Sequence, residues 1–90
     1  QYRPAQPPPK LSISAPVTNS VLSSPITVEG DTQAGSIVEI NKGLKITPDS
    51  TGHFATKLTF DNGETKIVIT STTRFGRSTT KTIPITILSQ

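Results

Sequence analysis

Ninety residues, 31 % of them hydrophobic and 4 % aromatic, make one small domain with a thin aliphatic core and no room for a deep cleft. The chain has no cysteine, which excludes a disulfide-rich scaffold and a thiolate metal centre. The net charge is +3, but Arg3 and Lys10 lie at the start, and residues 11–90 carry seven basic against six acidic groups. No basic face with stacking aromatics points to nucleic acid.

Residues 1–10, Gln-Tyr-Arg-Pro-Ala-Gln-Pro-Pro-Pro-Lys, read as a flexible proline-rich linker. Pro7, Pro8 and Pro9 favour extended polyproline II geometry, which holds a domain away from what precedes it. Pro4-Ala5-Gln6-Pro7 also fits a P-x-x-P docking peptide, a pattern so common that the spacer is the simpler reading. Gln1 is not an initiator residue, so the sequence is expected to be a piece of a longer polypeptide, with neighbouring domains as partners. No run approaches the roughly 20 apolar residues of a membrane span, so any membrane contact is expected only through a flanking anchor.

Residues 11–90 form the folded domain, in which a short β-branched run and a Gly/Asp/Asn/Pro turn recur about every eight to twelve residues. That spacing predicts an all-β antiparallel sandwich or barrel of about seven strands. The first strand, Leu11 to Ser14, turns Leu11 and Ile13 to one face. Residues 15–25 make a long connection broken by Pro16 and Pro25, with Val21 tucked inward. The second strand buries Ile26 and Val28 and the third Val38 and Ile40; Glu29 and Glu39 face outward. The fourth uses Leu44 and Ile46, and the fifth Phe54, Leu58 and Phe60. Asp61-Asn62-Gly63 reads as a hairpin turn, because Asn and Gly accept positive φ. The sixth strand buries Ile67 and Ile69, and the seventh Ile83, Ile85 and Ile87. Pro84 cannot donate to a ladder, which puts the last strand at an edge there. An odd number of up-and-down strands places the termini at opposite ends. Connections 31–36, 48–53 and 71–77 then gather beside the linker.

No catalytic constellation emerges. His53 is the single histidine and reads as a solvated residue at a strand start. The many Ser and Thr follow from β-propensity, without a His–carboxylate pair to activate one. Asp31, Asp49 and Asp61 are too scattered for a calcium loop. The chain is therefore expected to be neither an enzyme nor a holder of cofactor or metal. Arg74, Phe75 and Arg77 form the sharpest binding candidate: an aromatic between two guanidiniums on a turn suits a protein partner or an anionic wall polymer. The competing expectation is that Phe75 folds back to cap the sandwich end. Lys45 and Pro84 on edge strands discourage strand addition, so a monomer is expected.

Several spaced residues carry a family resemblance: Ile26, Val28, Gly30, Thr32, Gly35, Val38, Ile40 and Asn41, then Asp49, Gly52 and Phe54, then Gly63, Ile67 and Ile69. Over residues 11–88 the pattern resembles bacterial immunoglobulin-like domains of the glucodextranase B-domain type. The resemblance implies an immunoglobulin-like β-sandwich outside the cytoplasm, secreted or on a cell surface. It departs at Lys42, inserted between Asn41 and Gly43, and at Thr73 to Arg77, where the family commonly has Asp-x-x-Gly-Asn. The proline-rich approach also resembles that of membrane-anchored proteins with an extracytoplasmic β-domain. The resemblance implies a non-catalytic spacer or protein-interaction module of a bacterial surface or membrane-anchored protein. The alternative is an accessory carbohydrate-binding domain of a secreted glycan-active enzyme.

Overall fold

Alternating β-branched and polar residues send every second side chain to a shared interior, and two sheets, antiparallel but for one short strand, close over it. The structure, a computed structural model, describes residues 8–88; residues 1–7, most of the predicted linker, lie outside it. Its strands are β1 (Leu11–Ala15), β2 (Val21–Leu22), β3 (Ile26–Thr32), β4 (Ile37–Ile40), β5 (Leu44–Ile46), β6 (His53–Leu58), β7 (Gly63–Thr72) and β8 (Ser78–Ile87). One sheet has the order β1-β3-β6 and the other β2-β8-β7-β4-β5. The arrangement is an immunoglobulin-like sandwich.

Leu11, Ile26, Val28 and Phe54 from the small sheet meet Val38, Ile40, Ile67, Ile69, Ile83, Ile85 and Ile87 from the large one. All eleven are buried where strand parity puts them. Each contributes about 1.5–3 kcal/mol relative to an exposed position, so this interior is the main source of stability.

Three expectations need correction. There are eight strands in the described residues rather than seven, because the 15–25 connection contains β2. It leaves β1's sheet and pairs in parallel with β8, Val21 opposite Thr86 and Leu22 opposite Ile87. Register then decides the second point: Val21 shares the outer face with Thr86 and is 60 % exposed, while Leu22 packs against the core. Third, Asp61-Asn62-Gly63 is not a hairpin, since β6 and β7 belong to different sheets. Gly63 does take positive φ, 123°, but in a bridge between layers.

The β4–β5 hairpin absorbs the inserted Lys42. Asn41 and Lys42 both adopt left-handed φ, 53° and 60°, and the Gly43 amide donates to the Ile40 carbonyl at 3.2 Å. Asn41 Oδ1 also accepts the Val68 amide at 2.9 Å, which extends the β4–β7 ladder by one residue. Asparagine suits this position because a short polar side chain tolerates the left-handed region. β5 is an edge strand, as Lys45 suggested. β8 is open only in part, since Asn19 donates to the Pro84 carbonyl and β2 covers the residues that follow.

β1 and β8 begin at one end, where β3 and β7 finish. The described chain enters at that end and leaves, after β8, at the other. The two termini of the sandwich are opposed.

Candidate functional site at the chain-entry end

Buried hydroxyls sew the incoming chain to this end. Pro9 is buried, and its carbonyl accepts the Thr79 hydroxyl at 2.6 Å. The Thr32 hydroxyl donates to the Lys10 carbonyl at 2.7 Å and lies 2.6 Å from Ser71 Oγ. Thr32 has one hydroxyl proton, already given to Lys10, so Ser71 is the donor in the second bond. The Thr32 amide donates to the Gly52 carbonyl at 2.8 Å. Five separate segments are thereby tied together: the entering chain, β3, the turn before β6, the end of β7 and the start of β8.

Connections 31–36, 48–53 and 71–77 gather around this knot, as strand parity predicted. The β7–β8 turn is built on Thr73, which is 7 % exposed. Its hydroxyl oxygen accepts the Phe75 and Arg77 amides, both at 3.3 Å. Its amide donates to the Arg77 carbonyl at 2.8 Å, and its carbonyl accepts the Gly76 amide at 3.0 Å. Phe75 does not fold back over the sandwich end. It is 61 % exposed, with the Arg74 guanidinium 5.5 Å from its ring centroid. Thr73 occupies the inward position instead, and its hydroxyl satisfies backbone amides that a phenyl ring could not. Arg74, Phe75 and Arg77 are thus all exposed at the tip of a well-braced hairpin.

His53 is not a lone solvated residue. Nε2 lies 3.0 Å from Glu29 Oε2 and Nδ1 lies 3.1 Å from Asp31 Oδ1. Glu29 and Asp31 share the outer face of β3, and β6 sets His53 directly opposite Asp31. The hydrogen bond to Asp31 chiefly raises the His53 pKa above its ordinary 6.5. Desolvation opposes that rise, and the charges of Asp31, Glu29 and Asp49 reinforce it. Asp49 Oδ1 collects the Thr51 hydroxyl at 2.7 Å, the Thr51 amide at 2.9 Å and the His53 amide at 3.0 Å. Those bonds, the Thr51 hydroxyl first, pull the Asp49 pKa below 3.8.

Asp31 and Asp49 do share this end, but the oxygen of Asp49 is committed to closing its own turn. Among the described residues no group of three His, Cys, Asp or Glu side chains is disposed to hold a metal ion. Nor does any helix there have the length and apolarity to cross a membrane. Shallow grooves of about 280 and 340 Å³ run along β8, away from His53 and the tip.

The family model described as "Glucodextranase, domain B" matches residues 9–89. The chain belongs to that family. Among solved structures, the endo-beta-1,4-mannanase from Thermotoga petrophila is similar to it in fold, with a TM-score of 0.70 at 12 % identity. The match covers 91 % of this chain and 20 % of the mannanase, so the chain spans about a fifth of that protein's length. No curated protein matches the sequence.

Proposed function

We propose that this member of the glucodextranase B-domain family is a non-catalytic, extracytoplasmic spacer and protein-interaction module of a bacterial surface or membrane-anchored protein. The observation that carries the reading is the geometry of entry and exit. The chain is gripped at Pro9 and Lys10 on one end and departs beyond Ile87 on the other. Modules with opposed termini chain end to end, and a gripped entry transmits direction instead of acting as a free hinge. Small-angle scattering on the longer natural polypeptide, with and without residues 11–88, tests this. A spacer predicts that deletion shortens the particle while flanking activities persist; loss of a flanking catalytic activity at unchanged fold would refute it.

The interaction surface in this reading is the tip formed by Arg74, Phe75 and Arg77. An exposed aromatic with a cation on its face, on a braced turn, presents binding groups at little ordering cost. The alternative, an accessory carbohydrate-binding domain of a glycan-active enzyme, draws support from the family name. Titration with wall polysaccharides followed by NMR separates the two. Shifts confined to residues 72–77 with a soluble glycan favour carbohydrate binding; none with any glycan leaves the protein-interaction reading standing.

A further inference from the structure

We infer that Glu29, His53 and Asp31 form a proton-operated clasp that fastens edge strand β6 and the turn before it onto β3. The inference is independent of what the tip binds. It rests on the donor count of an imidazole. Each ring nitrogen of His53 faces a different carboxylate, at 3.0 and 3.1 Å. A neutral ring carries one N–H and can donate to only one of them; the imidazolium donates to both. Losing the proton therefore turns one contact from a charge-assisted hydrogen bond into a lone pair against an anion. It also leaves Glu29, Asp31 and Asp49 unneutralised on one small area.

The charged groups around the ring are few. β3 contributes Glu29 and Asp31, and the turn before β6 contributes Asp49, which also bonds the His53 amide. On β6 itself the next charge on that face is Lys57, opposite Thr27. β1, on the far side of β3, offers only Ser12 and Ser14. The field at His53 is thus anionic, and the clasp closes in its protonated form. Its position gives it reach, since Gly52, the residue before His53, holds the Thr32 amide, and the Thr32 hydroxyl holds the entering chain. The His53 pKa is raised on folding, so this stabilisation is complete below about 6.5 and is lost as pH rises through the folded value.

The test is an NMR titration of the 90-residue chain across pH 5 to 9, following the His53 ring and amide exchange together. The His53 midpoint should lie above 6.5 and fall toward it in Asp31→Asn and in Glu29→Gln. Protection of the Thr32 and Asp49 amides, measured relative to Ile69 in the core, should drop as pH passes that midpoint. His53→Gln, which keeps an amide at an exposed site, should abolish the pH dependence while Ile69 stays protected. A midpoint at or below 6.5, a midpoint unmoved by Asp31→Asn, or Thr32 and Asp49 protection that tracks Ile69 at every pH would overturn the clasp.

Discussion

Replacing Thr32 by valine keeps the shape of the side chain and removes one oxygen. Thr32 is 1 % exposed and Ser71 is fully buried, so neither can turn to solvent. The substitution deletes the bond to the Lys10 carbonyl and leaves the Ser71 hydroxyl without its acceptor. A typical lost bond is worth about 0.5–1.5 kcal/mol, and a stranded buried hydroxyl about 1–3 kcal/mol. Burying a methyl in its place returns part of this, so Thr32→Val is expected to destabilise by about 2–3 kcal/mol. For a domain of this size that lowers Tm by roughly 10–20 °C. Ser71→Ala leaves the Thr32–Lys10 bond intact and should cost only about 1 kcal/mol. The double variant should cost no more than Thr32→Val alone, because the Ser71 hydroxyl is then no longer stranded. Equilibrium urea denaturation of the four proteins closes the cycle, with an expected coupling of about 1 kcal/mol. If the two effects simply add within about 0.5 kcal/mol, the hydroxyls do not form the relay described.

Gly52→Ala should destabilise by more than about 3 kcal/mol in the same assay, since the new Cβ would overlap the Thr32 carbonyl and φ is +92°. Gly35→Ala has φ +88° with nothing within 4 Å, and should cost only the left-handed penalty of about 1–2 kcal/mol. Equal effects would mean that the close approach of Gly52 to β3 is wrong. Ser36 is 1 % exposed and its hydroxyl has no partner among the described residues; Ser36→Ala is therefore expected to be neutral or stabilising by up to about 1 kcal/mol, read by thermal melting. Asp49 has a depressed pKa, so its contribution is present above 3.8 and disappears as pH falls through the lower folded value. Asp49→Asn should flatten the acid limb of a stability-versus-pH curve.

Much of the sandwich was legible because parity is a local property. In Ile83-Pro84-Ile85-Thr86-Ile87 the period of two alone assigns faces, and all three isoleucines are buried. The positive φ at Gly63 was equally local. The sheet in which the next strand lies was not, because an Asp-Asn-Gly turn permits a hairpin without compelling one. β2 escaped notice for a related reason: two residues between serines and prolines show no alternation, and their strand character comes entirely from β8. His53 became interpretable only through the β3–β6 register, which sets it opposite Asp31. No spacing along the chain encodes that partner.

The same distinction explains why the braced end of the domain was hidden. Thr32, Ser71, Thr73 and Thr79 each fit a strand by propensity, and that account of them was sufficient until their partners were known. An aliphatic side chain could fill the space of any of them. It could not satisfy the carbonyls of Pro9 and Lys10, which each accept a threonine hydroxyl, nor the amides of the 73–77 turn. Unpaired polar groups at such a site would cost about 1–3 kcal/mol each, enough to favour release of the entering chain. The hydroxyls at this end therefore fix the path of the entering chain, while the isoleucine interior sets whether the domain folds. Substitutions in the interior should change stability throughout, and substitutions in the knot should first free the entering chain. That separation is what the directional spacer we propose would require.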